Sequence, residues 1–197
     1  MFNVGKCGSI VAVALLVWTT GCGKVLTQTP STVPAWTRSE DDMTVYFSPK
    51  GGAMQAIQWE INHAKKYIDV QGYLITTNEI VKPLREAQAR GVKVQIILDS
   101  NNLAGEFSAA AFFSDGELPV WQDDKHKEAH NKIMLFDGET IITGSFNFTD
   151  QAENTNAENL LVIRKKPKLY SAYLANFEEH LAHSERYKPT KNDRDKQ

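Results

Sequence analysis

HNKIMLFDGETIITGSFN, residues 130–147, holds the most informative pattern in the chain. His130 and Lys132 lead into Ile133, Met134, Leu135 and Phe136, an apolar run that reads as a strand. Side chains alternate along a strand, so the imidazole and the ammonium point to one face. Asp137-Gly138 then signals a hairpin turn. A second apolar strand, Thr140 to Thr143, brings the chain back to Gly144, Ser145 and Asn147, the last two again sharing a face. Such a hairpin gathers a nucleophile or base, a fixed positive charge, a hydroxyl and an amide. Together they make a site for an oxyanion, above all a phosphate.

Upstream of the hairpin, strands and helices alternate. Met43 to Phe47 reads as a strand; Gly51 and Gly52 open a helix with Met54, Ile57, Ile61 and Ala64 spaced by three and four. Tyr67 to Leu74 is a strand, and a second helix from about Asn78 carries Leu84 and Ala87 and stops at Gly91. Pro83 is awkward inside that helix, which points to a start later than Asn78. Val92 to Leu98 is the β-branched run of a strand buried on both faces. A loop through Asn101, Asn102 and Gly105 leads to a short helix near Phe107 to Phe113, and Leu118 to Trp121 is a further short strand. Downstream, Asn159 to Arg164 is a strand, and Pro167 starts a last helix with Leu169, Tyr173 and Phe177 on one stripe. The alternation predicts an α/β sandwich, with helices on both faces of a mixed, mostly parallel sheet that the hairpin modifies.

The chain's ends stand apart from this domain of 43–186. Lys6, the apolar Ile10 to Trp18 and small residues after it read as an export signal over 1–22, too short and weakly flanked for a spanning helix. An uncleaved anchor is the rival reading. Cys22 sits as at a bacterial lipoprotein cleavage site, which it resembles, although Thr19 stands where that pattern has Leu. Lipid attachment at Cys22 and simple cleavage nearby are both open. The expected location is therefore periplasmic or secreted, or membrane-anchored through Cys22. Residues 23–42, rich in Thr, Ser and Pro, form a tether, and 187–197 form a polar tail.

The 197 residues suffice for one domain with a good core. A net charge of −2 announces no global basic field, but this weighs little, since clustered Lys and Arg make a nucleic-acid footprint. With only Cys7 and Cys22 present, no disulfide framework holds the domain. Several other patterns are weaker. His63-Ala-Lys65, with Asp69 downstream, repeats the His-x-Lys spelling inside a helical pattern, where such residues diverge. His126 to His130 briefly resembles a zinc helix, but Glu128 occupies the wrong position and no third ligand has suggestive spacing, so no metal is expected. His180 and His183 read as solvated side chains, and Lys165, Lys166 and Lys168 as the frame of a turn. Lys125 and Lys127, just before His130, are candidates to meet a polyanion, or simply an exposed loop.

The spelling His130-x-Lys132-x4-Asp137-x6-Gly144-Ser145-x-Asn147 resembles the HKD signature of the phospholipase D superfamily. It is similar in particular to the small secreted bacterial endonucleases that carry one signature per chain. The likeness extends to Ile97–Asp99, to Ser145–Thr149, to Asn156, Glu158 and Asn159, and to the helix after Pro167. The resemblance implies a phospholipase D/nuclease-like fold and a phosphodiesterase that needs no cofactor. In that chemistry His130 attacks phosphorus and forms a phosphohistidine, while Lys132, Ser145 and Asn147 bind the non-bridging oxygens. It makes Glu158 the candidate partner of the imidazole's other nitrogen. Asp137 belongs to the signature, though its place at the turn suits a structural or indirect electrostatic role. One histidine cannot serve as both nucleophile and acid, so the resemblance implies a homodimer with a composite site. A nucleic acid, most simply DNA cut without sequence preference, is the expected substrate. Phosphatidyl lipid is the alternative, and a catalytically idle phosphate-binding surface protein is a third reading.

Overall fold

The computed structural model describes residues 39–103 and 109–190. The expected export signal, Cys22, most of the expected tether, Gly105, Phe107 and the last seven residues lie outside the described residues.

Strand β1 (Met43–Phe47) is followed by helix α1 (Ala53–His63), β2 (Tyr67–Gly72), α2 (Asn78–Ala89) and β3 (Lys93–Asp99). Short 3-10 turns at Ser100–Asn102 and Ala109–Phe113 precede β4 (Val120–Asp123). The hairpin strands are β5 (Lys132–Phe136) and β6 (Thr140–Gly144). Helix α3 (Asp150–Asn154), β7 (Asn159–Arg164), α4 (Pro167–His183) and the two-residue β8 (Glu185–Arg186) complete the domain. The eight strands form one sheet in the order β1-β7-β6-β5-β2-β3-β4-β8.

Helices cover both faces, as the alternation predicted. On one face Ile57 and Ile61 of α1 and Ile80 and Leu84 of α2 pack with Ile68, Val70, Ile96, Met134 and Val162 of the strands. On the other, Tyr170 and Phe177 of α4 pack on Ile97, Ile133, Leu135 and Ile141. Alternate residues of one strand thus enter opposite cores, Ile96 and Ile97 for example, which is why β3 reads as continuously apolar.

The sense of the strands differs from expectation. Only β2–β3 and β3–β4 are parallel; the other five pairings are antiparallel. Alternation along the chain predicts parallel pairing only if successive strands become neighbours in the sheet. That holds for β2-α2-β3, but β1 lies at the sheet's edge and is separated from β2 by β7, β6 and β5.

Pro83 does sit inside α2, which starts at Asn78 behind the N-cap Thr77. A proline cannot donate to the carbonyl four residues back. That carbonyl, of Glu79, instead accepts from the side-chain amide of Gln58 at 3.0 Å. The lost bond is thereby replaced from a neighbouring helix. Helix α1 is treated in the same way: no local side chain caps it, and Glu153 of α3 accepts from the Met54 N–H at 3.0 Å. Beyond β8, Tyr187 donates its N–H to Val120 O at 2.9 Å, so the first residue assigned to the tail belongs to the fold.

Candidate active site

His130 stands just ahead of β5, and Ser145 and Asn147 just beyond β6. All three therefore leave the sheet at the same end of the hairpin, rather than lying within its strands. Pairing of Ile133 with Thr143 puts Lys132 level with Gly144 one step on, beside Gly72 of β2. Gly144 is required there. A Cβ at this position would lie 2.2 Å from the Asn159 carbonyl oxygen, and its φ of 155° is one that side-chain-bearing residues rarely adopt.

His130 is exposed and Lys132 is buried. The Lys132 Nζ lies 2.8 Å from His130 Nδ1 and donates to the His130 carbonyl at 2.7 Å. It also sits 4.9 Å above the ring of Tyr73, whose centroid is 4.3 Å from that of His130. Burial lowers the Lys132 pKa from 10.5 to about 8, with Glu158 and Glu128 opposing the shift. A poorly hydrated ammonium keeps its field for an incoming anion, because little of it is screened by water.

Ser145 donates its hydroxyl to Glu158 Oε2 at 2.5 Å and accepts from the Asn159 N–H at 3.1 Å. The other Glu158 oxygen accepts from Asn156 at 3.1 Å. Glu158 therefore holds Ser145 and Asn156, and the hydrogen-bond contact at His130 Nδ1 is with Lys132. This differs from the imidazole partner that the resemblance implied, although the charge of Glu158 is still felt at Lys132. The side-chain oxygen of Asn147 is buried and makes no hydrogen bond. A buried amide oxygen left open in this way is unusual.

Asp137 is not with the others. It sits at the far end of β5, roughly 17 Å along a five-residue strand from Lys132's end. Its carboxylate accepts from the N–H groups of Lys65, Lys66 and Tyr67 at 2.7, 2.8 and 3.0 Å. With φ of 53° at Asp137 and 87° at Gly138, the turn aims that carboxylate at the start of β2. Its role is architectural, and it contacts none of the reacting groups. The decoy at His63 is ordinary: the ring stacks on Trp59 at 3.8 Å at the end of α1.

The sequence reading missed what holds His130. Two buried carboxylates, Asp99 and Asp123, face each other at the ends of the parallel strands β3 and β4. Asp123 accepts from the Lys125 N–H at 3.2 Å, and Asp99 accepts from the Ala129 N–H at 2.6 Å. Asn101 adds a bond to the Lys127 carbonyl at 3.2 Å. The loop that delivers His130 is therefore clamped at both ends, with Lys125 and Lys127 exposed upon it. The one available signal was the acid that closes each apolar strand, in Ile97-Leu98-Asp99 and Trp121-Gln122-Asp123.

This end of the hairpin sets an exposed imidazole against a buried ammonium, on a sheet covered by helices on both faces. Residues 57–181 match the family model described as the PLD-like domain of cardiolipin synthase, and the chain belongs to the phospholipase D superfamily as a phosphodiester hydrolase. It is 37% identical over 139 residues to "Phospholipase D" of Rickettsia prowazekii, covering 71% of this chain and 67% of that one. "Mitochondrial cardiolipin hydrolase" of Chlamydomonas reinhardtii is 30% identical over 118 residues, covering 60% of this chain and 52% of its own. Among solved structures, the phospholipase D family member Nuc from Salmonella typhimurium superposes with a TM-score of 0.70 at 33% identity. That match covers 74% of this chain and 97% of Nuc.

Proposed function

We propose that the protein is a metal-independent phosphodiesterase that acts through a phosphohistidine on His130, and that its substrate is DNA. The observation that carries this reading is the contact of a buried, weakly hydrated Lys132 with the exposed imidazole of His130. His130 Nε2 attacks phosphorus, a P–N bond forms, and the P–O bond to the leaving alkoxide breaks. Lys132, Ser145 and Asn147 bind the non-bridging oxygens as charge builds on them. An acid on the opposite side must protonate the leaving oxygen. His130 of a second copy, related by a two-fold axis, supplies it and then takes a proton from the water that cleaves the P–N bond. One imidazole is thus nucleophile and then leaving group, and the other is acid and then base. The acid copy carries a proton on each ring nitrogen and becomes a neutral imidazole when it gives one to the leaving oxygen, while the nucleophilic copy keeps its one proton on Nδ1 and leaves Nε2 bare. In both copies Lys132 can hold the His130 carbonyl.

DNA is favoured by the exposure of His130 and Ser145 and by the exposed Lys125 and Lys127 on the loop leading to His130. Phosphate contacts of this kind carry no base information, so cleavage is without sequence preference. The apolar recess lined by Met43, Pro167 and Leu169 suits lipid tails better, but its strand register puts it at the Asp137 end of the sheet. The second reading, hydrolysis of phosphatidyl lipids, is favoured by the 37% identity to a phospholipase D.

Purified protein and His130→Ala, each in EDTA, are incubated with plasmid DNA and separately with phosphatidylcholine or cardiolipin dispersions. Nicking by the wild type alone is the expected result. Release of choline or phosphatidic acid without nicking would replace the first reading by the second, and silence in both assays would defeat both. Sedimentation showing a fully active monomer would defeat the composite site.

A further inference from the structure

Behind the clamped loop four side chains converge that the reaction does not use. Asp123 closes β4, His126 stands on the loop, and His180 and His183 lie in the last turn of α4. Each offers one ligand atom, and these atoms lie within 4.8 Å of one another. The Asp123 carboxylate, wholly buried, has His180 Nδ1 at 2.6 Å, His126 Nδ1 at 3.3 Å and His183 Nε2 at 3.3 Å. The three imidazole rings are mutual neighbours, with centroids 4.9, 5.1 and 5.5 Å apart. His180, read from sequence as solvated, is itself buried.

A hydrogen-bonded knot of histidines around one carboxylate does not account for all of this. His180 and His126 each make a hydrogen bond to Asp123, but His183 Nε2 is buried and makes none. A cation held by all four groups gives that nitrogen a partner, because it takes the lone pair of each ring and the charge of the carboxylate.

We propose that Asp123, His126, His180 and His183 form a structural site for a divalent transition-metal ion of the zinc class. Three imidazoles and one carboxylate are the donors that zinc takes, whereas magnesium and calcium prefer all-oxygen sites. Four protein ligands close a tetrahedron and leave no position for substrate or an activated water, so the ion is structural. The ligands come as two short-spaced pairs, Asp123-x2-His126 and His180-x2-His183. Residues three apart in a helix share a face, and a helix C-terminus carries partial negative charge that favours a cation. Zinc–ligand distances of about 2.0–2.1 Å imply ligand separations of ~3.4 Å, so the cluster tightens on binding. His126, 44% exposed on a loop, is the member free to close in. The ion would cross-link the loop that delivers His130 to a helix more than fifty residues later in the chain. Such a link would do the work of a disulfide in a domain whose described residues contain no cysteine.

The test is metal content and thermal stability of the tag-free protein, read without any substrate. Wild type should retain about one zinc per chain, lose it to a strong chelator with a fall in melting temperature, and recover both with Zn2+ but not Mg2+. Cobalt substitution should give the intense visible bands of a tetrahedral site. His126→Ala and His183→Ala should lose binding and the zinc-dependent part of the melting temperature, while His63→Ala should keep both. His126 is exposed, so its replacement leaves the fold intact even if that of His183 does not. Absence of stoichiometric zinc and cobalt bands in the wild type, or binding that survives in His126→Ala, overturns the proposal.

Discussion

The two ends of β5 carry letters of one sequence signature and do different physical work. At the His130 end, an exposed imidazole meets a buried ammonium whose proton affinity is lowered by desolvation. At the Asp137 end, a carboxylate is spent on three backbone N–H groups that start β2. At the first end the Asn147 side-chain oxygen makes no hydrogen bond, and at the second the Asp137 carboxylate takes three. An open, desolvated group has free energy to gain from a ligand; a saturated one has only structure to lose.

That contrast is sharpest under mutation. His130→Ala should reduce the rate roughly 10^4-fold, the upper end of what a positioned acid–base group contributes, with urea midpoint unchanged. Any residual turnover comparable to wild type would erase the distinction between the two ends.

Lys132→Met should cost about 10^2- to 10^3-fold in kcat, as loss of a charge-stabilising donor does. The wild-type rate should also fall on the alkaline side as pH passes about 8, where Lys132 loses its proton. A limb that persists unchanged in Lys132→Arg would assign it to another group. Stability moves oppositely. Because the folded chain releases that proton before the unfolded chain does, the desolvation penalty is fully present below pH 8 and is relieved as pH rises toward 10.5.

Asp99→Ala lies between the two extremes. It frees the Ala129 N–H and one end of the His130 loop. The rate should drop by up to about a hundredfold through misplacement alone, with the pH profile retained. Asp137→Ala should reverse the pattern of His130→Ala, with roughly 2–3 kcal/mol lost in urea unfolding and kcat nearly untouched. A collapse of kcat at full folding would place Asp137 in the chemistry after all. The smallest effects belong to Lys125→Ala and Lys127→Ala. Each should weaken DNA binding uniformly across sequences and lower the salt slope by about one.

Legibility in the sequence followed the range of the interaction. The hairpin, the helix starting at Pro167 and the strand Asn159–Arg164 were readable because alternation and turn chemistry are local. Helix α3 and β8 were not: each is very short, and α3 depends on the Thr149 cap and on Thr77 reaching Asp150 at 2.6 Å. Pro83 misled because its compensation, Gln58, lies in another helix. His180 and His183 were misread for the same reason, since nothing nearby in sequence reveals that Asp123 and His126 stand opposite them.

Which groups are available was written in the chain: an imidazole and an ammonium two residues apart, a hydroxyl and an amide two apart, and a turn that brings them to one end. Spacing within a strand or turn is fixed by backbone geometry, so short-range chemistry can be read directly. Long-range packing set the mainly antiparallel sheet, the hold of Glu158 on Ser145, the clamp of two buried aspartates on the loop before His130, and the meeting of three histidines around one of them. Those outcomes depend on which strands become neighbours. That choice is made by the burial of both sheet faces together, a property of the whole chain and of no segment within it.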